Sequence, residues 1–166
     1  MMNTVLRMLA AGTLLAAAAC SAAAKPDTHA SVGHIAPNWT EATSAGQHLS
    51  MESLHGKPVY LNFFATWCPP CNEEAPDINA LQKQYASRGL QVVGIDELED
   101  AKKAAQFVRK YGLIYPAVVD DGTLQTQYSV NGLPVHVFID KSGVIRKIVQ
   151  GEMTKKAIAA QIQRIL

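Results

Sequence analysis

Two rhythms of hydrophobic and polar positions alternate along this chain. Val59-Tyr60-Leu61-Asn62-Phe63-Phe64 follows Gly56-Lys57-Pro58 as a near-continuous apolar run, the pattern of a strand buried on both faces of a parallel sheet. Pro69 and Pro70 suit the first turn of a helix, and Ala75, Ile78, Leu81 and Tyr85 recur at helical spacing up to Gly89. Pro76 lies inside that helix and should kink it. Residues 90–95 form a second buried strand. Asp100 can cap a helix carrying Ala104, Phe107, Val108 and Tyr111 on one face, closed by Gly112. A short strand over 117–119 and a short helix or turn over 124–128 come next. The next strand is Val135–Ile139, and Asp140-Lys141-Ser142-Gly143 turns it back as a hairpin into residues 144–150. Thr154 can cap a last helix with Ile158, Ile162 and Ile165 inward. Strands alternating with helices, then a hairpin and a helix, describe an α/β fold with a mixed sheet covered on both faces.

The first 24 residues carry another pattern. Arg7 is the only charge before Lys25, and residues 8–19 are apolar or small throughout. This is the h-region of an export signal, too short to span a bilayer comfortably. Two processing sites fit. Leu14-Leu15-Ala16-Ala17-Ala18-Ala19-Cys20 resembles a bacterial lipobox, with Cys20 lipidated and Ala17 standing where Leu is usual. Alternatively, Ala22-Ala23-Ala24 is an A-x-A site with cleavage before Lys25. The lipobox is preferred, because a cysteine at the end of an h-region is uncommon by chance. Residues 25–34 are polar and small and read as a tether, which leaves 35–166 as the folded domain.

Composition narrows the function. With 48% hydrophobic and 17% charged residues in 166, the chain is one globular domain and not a disordered polymer. The net charge is +1 and no run of Lys or Arg occurs, which argues against a nucleic-acid footprint. Removing residues 1–19 takes Arg7 with it and leaves a neutral chain, so no strongly charged partner is implied. Three cysteines are too few for a disulfide-built scaffold. With Cys20 acylated or removed, Cys68 and Cys71 are the cysteines of the domain.

The chemistry lies in Trp67-Cys68-Pro69-Pro70-Cys71. A C-x-x-C pair is redox-active or binds metal. Zinc takes three or four ligands, and His29, His34, His48, His55 and His136 are scattered, so no metal is expected. Position favours redox chemistry: the pair follows a buried strand and opens a helix. A thiolate there feels the positive end of the macrodipole and several free N–H groups, which lowers its pKa. Cys68, at the entry, is expected to be exposed and nucleophilic. Cys71, one turn in, is expected to be shielded and to resolve a mixed disulfide on Cys68. As a mere staple, a bond closing so short a loop constrains the unfolded chain little.

From residue 35 to the last residue the chain resembles thioredoxin-fold proteins of the TlpA/ResA/DsbE type, which are envelope thiol–disulfide oxidoreductases. The residues that carry the likeness run from Gly56 through Cys71, then Glu74 and Pro76. Further on they are Val92-Val93-Gly94-Ile95, Tyr111-Gly112, Tyr115-Pro116, Gly132-Leu133-Pro134 and Phe138-Ile139-Asp140-Lys141-Ser142-Gly143. Two departures are visible. Phe64 stands where the family usually has Trp, which touches packing only. Val135-His136 follows the proline where Thr is common, which touches the substrate groove.

The resemblance implies a thioredoxin fold, a mixed central sheet flanked by helices, with a TlpA-type helix–strand insert over about 96–121. It makes Pro134 a cis-proline whose loop faces the cysteines, and places Trp67, Leu133 and Pro134 against the substrate. It gives Glu74 the handling of the Cys71 proton, since Asn62 occupies the place of the buried aspartate of cytosolic thioredoxins and an amide cannot take a proton. Glu73 is expected to be a surface residue. Glu97, Glu99, Asp100, Asp120 and Asp121 make the insert acidic and read as a solvated rim, with a partner-recognition edge as the sharper alternative. The expected function is reduction of disulfides in envelope proteins, in cytochrome c maturation or elsewhere. No cofactor beyond the Cys68–Cys71 disulfide is expected. Electrons would come from a membrane thiol reductase of the DsbD/CcdA kind, with the domain held at the periplasmic or outer face of the membrane through Cys20. Two rivals stand beside this: a net oxidant, and a copper-binding chaperone using both cysteines and His136, the histidine best placed to approach them. The copper proteins of this fold usually have three residues between the cysteines, where this chain has two.

Overall fold

The computed structural model describes residues 29–166. The export signal and Cys20 lie outside the described residues.

The five strands of the central sheet are β3 (Val59–Phe64), β4 (Gln91–Glu97), β5 (Ala117–Asp120), β6 (Val135–Ile139) and β7 (Ile145–Gln150), in the order β5-β4-β3-β6-β7. β3, β4 and β5 run parallel, while β6 and β7 are antiparallel to their neighbours. The helices are α1 (Pro69–Tyr85), α2 (Ala101–Tyr111), α3 (Thr123–Gln127) and α4 (Lys155–Ile165). Before the sheet lies a small hairpin of β1 (Thr40–Ala42) and β2 (His48–Ser50), which hydrophobic patterning does not predict.

Alternation along each central strand sorts the core into two layers. Tyr60, Phe64, Val92 and Phe138 face α1, α2 and α4, where Ile78, Phe107, Ile158 and Ile162 close the layer. Leu61, Phe63, Val93, Ile95 and Val137 face the other way, onto Trp39, Leu54, Leu124 and Tyr128. Every residue of β3 and β6 is buried, as a central strand covered on both faces requires. Phe64 stacks on Phe107 with centroids 4.5 Å apart. Gly94 lies under the Phe64 ring: a Cβ there would sit 2.9 Å from Phe64 Cε1. The Phe64 ring is therefore packed against Phe107 and Gly94.

The helix signals act where the sequence places them. Asp100 accepts from Lys103 N at 2.8 Å, and Gly112 ends α2 with φ 57°. Thr154 Oγ1 accepts from Ala157 N at 3.3 Å and starts α4. Pro76 lies within α1, which continues through it to Tyr85. The α2–β5 addition is present and extends the sheet on the β4 side.

Both edges of the sheet are met by the N-terminal segment. Thr43 bridges Val118 on β5, and Ile35 bridges Val144 at the start of β7. Gly33 N donates to Ile145 O, and Ile145 N to His34 O. Ala30 N donates to Gln127 O. Residues 30–34, part of the stretch read as tether, are thus bonded into the fold through their backbone, which leaves no hydrophobic trace.

Candidate active site

β3 runs into Ala65, Thr66 and Trp67, and α1 starts directly after Cys68. Cys68 is the N-cap residue, Cys71 N donates to its Sγ at 3.3 Å, and Cys68 and Cys71 are joined by a disulfide. Pro69 and Pro70 occupy the first two helical positions and have no N–H. Of the four donors that a helix start normally leaves free, here those of residues 68–71, two are missing, and Cys68 N donates to Ala65 O. One backbone N–H therefore serves Cys68 Sγ, where the sequence reading assumes several.

The expected exposure of Cys68 is overturned. In this disulfide form Cys68 is 2% exposed and Cys71 3%, while Trp67 is 69% exposed. Capping turns the Cys68 side chain inward over α1, and its neighbour takes the outer position. The Leu133–Pro134 peptide bond is cis. Leu133 packs on the core layer that contains both cysteines, and it shares a groove with Trp67. The structure thus brings together Trp67, Cys68, Cys71, Leu133 and Pro134.

Glu74 lies three residues after Cys71 on the same helix face and is 4% exposed, not a surface residue, whereas Glu73 is exposed. Its Oε1 accepts from Met153 N, tying α1 to the segment before α4. Burial pushes its carboxyl from 4.5 to about 7, the Met153 N–H opposes that, and Glu152 adds to it. His136 Nε2 lies 3.6 Å from Glu74 Oε2 and 3.1 Å from Gly151 O. A carbonyl can only accept, so Nε2 carries the proton. Nδ1 of the neutral ring then accepts from the Tyr60 hydroxyl, 2.8 Å away. Burial holds the imidazole down at about 4, so His136 and Glu74 do not form an ion pair at neutral pH. His136 is turned to Tyr60, Gly151 and Glu74. Among the described residues no group of three or more His, Cys, Asp or Glu is placed to hold a metal ion. Asn62 lies on the same face of the sheet, in register with His136, and is buried.

The acidic insert is not the solvated rim expected of it. Asp100 and Asp121 are exposed, but Asp96, Glu97 and Asp120 are buried. Glu99 Oε2 accepts from Thr66 N at 2.6 Å and Oε1 from Thr66 Oγ1 at 2.9 Å, which fixes the loop leading to Trp67. Neither oxygen of the buried Asp96 carboxyl has a hydrogen-bond partner in the protein. Burial and then Glu99 raise Asp96 to about 8; for Glu99 burial also pushes upward, but the bonds from Thr66 together with Lys103 and Asp96 lower it on balance. Side-chain type alone predicts exposure for acids and so hides this clamp. The usable signal is position, since these acids follow the carboxyl end of a buried parallel strand, where sites in such sheets collect.

Comparison with known proteins follows this geometry. The AhpC/TSA family profile matches residues 32–148. A thiol-disulfide oxidoreductase ResA of Bacillus cereus is 36% identical over 135 residues, covering 81% of this chain and 78% of that protein. A thiol:disulfide interchange protein of the thioredoxin family from Chlorobium tepidum TLS superposes with a TM-score of 0.74 at 32% identity, over 87% of this chain and 99% of the other. A secreted Mycobacterium tuberculosis disulfide oxidoreductase homologous to E. coli DsbE superposes with a TM-score of 0.69 at 30% identity, over 76% and 95%.

Proposed function

Starting from the fact that this chain belongs to the AhpC/TSA family of thioredoxin-like proteins and is a thiol–disulfide oxidoreductase, we propose that it acts outside the cytoplasm as a dithiol reductant of disulfides in partner proteins. The observation that carries the direction is the sparse supply of backbone donors at Cys68 Sγ. Strong oxidants of this chemistry stabilise their reduced thiolate. Here Pro69 and Pro70 leave Cys68 Sγ a single backbone donor. That disfavours the thiolate, which favours the disulfide form and makes the dithiol a better electron donor.

Cys68 thiolate attacks one sulfur of the partner disulfide, and the other partner sulfur leaves and takes a proton. Cys71 gives its proton to Glu74, whose carboxyl near 7 is matched to neutral pH. Cys71 sulfur then attacks Cys68 Sγ, and the second partner sulfur leaves and takes the proton held by Glu74, becoming a thiol. Two electrons have passed to the partner and Cys68–Cys71 is a disulfide again. Its reduction needs a dithiol donor, for which a membrane thiol reductase of the DsbD/CcdA kind is suited. Attachment through Cys20 would hold the domain beside such a donor. The exported character of the M. tuberculosis relative and the h-region of residues 8–19 support this location. No organic cofactor enters the scheme.

Cys71→Ser tests the route. It should trap envelope proteins as mixed disulfides that survive denaturing gels and vanish with reductant, while Cys68→Ser traps few. A redox titration tests the direction: a potential below about −200 mV is expected, toward the thioredoxin end of the range. No trapped species, or a potential near that of strong oxidants at about −120 mV, overturns the proposal.

A further inference from the structure

Glu97 ends β4 and takes no part in the scheme above. Val93 and Ile95 belong to the core layer on the α3 side, so alternation turns the Glu97 side chain to that side as well. There it lines a groove of about 480 Å³ together with Trp67, Leu98, Gln125, Val130 and Leu133. Glu97 is 4% exposed, and neither of its carboxyl oxygens has a hydrogen-bond partner in the protein. Its neighbour across β4–β5 is Asp120, whose two oxygens accept from Leu124 N and Gln125 N. Burial first and Asp120 second push the Glu97 carboxyl up to about 8. Among the described residues no Lys, Arg or His lines the groove.

A buried carboxyl without a partner is costly, and satisfied neighbours do not explain its retention. What it lacks is a cation. The groove supplies the rest of a cation site: the exposed Trp67 ring offers a π face, and Asp120 adds negative potential beneath. Leu98, which follows Glu97 and also lines the groove, is 62% exposed and adopts φ 54°. The groove also reaches Leu133, directly before the cis-proline.

We infer that Glu97 forms the floor of a specificity subsite that receives a basic side chain, Arg or Lys, lying next to the target cysteine of the partner protein. The inference rests on the reductase reading and names its substrate class: disulfides flanked by a positive residue. The cation enters between Trp67 and Leu98, and the Glu97 side chain turns to meet it and ionises. Glu97 positions the partner and transfers no proton or electron.

The test uses the reduced full-length protein and disulfide-bonded peptides of one sequence, with Arg, Gln or Glu at each of the two positions either side of one cysteine. For wild type, kcat/KM should fall by about tenfold from the Arg to the Gln peptide at one of these positions, and further to Glu, carried mainly by KM. This ranking is read before any variant is made. In Glu97→Gln the Arg-to-Gln ratio should collapse toward one. Glu52→Gln, which removes the same charge from an exposed site ahead of β3, should leave the ratio intact. Equal rates on all three wild-type peptides overturn the subsite while leaving the reductase reading standing. No reduction of any peptide overturns the reductase reading itself. Collapse of the ratio in Glu52→Gln assigns the preference to overall charge and also overturns the subsite.

Discussion

Replacing Glu74 by Gln should make the oxidised protein progressively more stable than wild type as pH rises. Glu74 is 4% exposed, and burial is the largest cause of its raised pKa. The folded state therefore binds the proton more tightly than the unfolded chain. For such a group the stabilisation is complete below the unfolded pKa and is lost as pH rises to the folded one. At 1.36 kcal/mol per pKa unit, a carboxyl moved from 4.5 to about 7 costs the folded state about 3 kcal/mol once fully ionised. Gln is neutral at every pH, keeps the shape, and can still accept from Met153 N, so it escapes that cost. His136 produces the opposite slope, because a base held down at about 4 destabilises the fold as pH falls below 6.5. That contribution is common to both proteins and cancels in the difference. Urea unfolding of the oxidised proteins at intervals from about pH 4.5 to 8.5 should show the variant gaining about 3 kcal/mol on wild type, most of it before about pH 7.5. A difference constant to within about 0.5 kcal/mol would refute the claim that Glu74 is buried as the acid.

Two further outcomes follow from the same geometry. His136→Thr should admit water beside Glu74, lower its pKa, and move the rising limb of the pH–rate profile for disulfide reduction below about 7; an unmoved limb would show that the imidazole does not control this carboxyl. Glu99→Ala removes two charge-assisted bonds to Thr66 and should cost about 2–3 kcal/mol in urea unfolding, whereas Asp96→Asn, which stands in for the protonated acid, should cost less than about 1 kcal/mol.

The sequence is most legible where burial dictates residue type. β3, β4 and β6 are apolar because both sheet faces are covered, and the pair at the head of α1 follows from strand, prolines and cysteines in order. It is least legible where backbone bonds or buried acids carry the structure. β1 and β2 are three residues each, TEA and HLS, too short and too polar to show a period. Residues 30–34 join the fold through main-chain bonds to Gln127 and Ile145, which leave no compositional mark. Asp96, Glu97 and Glu99 look like solvent-facing charges until the strand end and the Thr66 loop close over them. Cys68 looks exposed only while its helix position is read without its side-chain direction: a capping sulfur points back over the helix it starts.

The pairing of Ile35 with Val144 and of Thr43 with Val118 has a consequence for self-association. An open sheet offers its outer ladders to any extended chain, its own copies included, and strand addition of that kind seeds polymers. Here one stretch of polypeptide blocks growth on both sides. The hairpin shields β5, residues 33–35 cover the start of β7, and the exposed Arg146 and Lys147 discourage pairing along its middle. Recognition by strand addition is thereby disfavoured for clients as well as for copies, which favours loops as the place where another polypeptide can dock. A truncation at residue 45 would remove the guard from both flanks, and Trp39 from the core, in one step, so its first symptom should be aggregation during refolding.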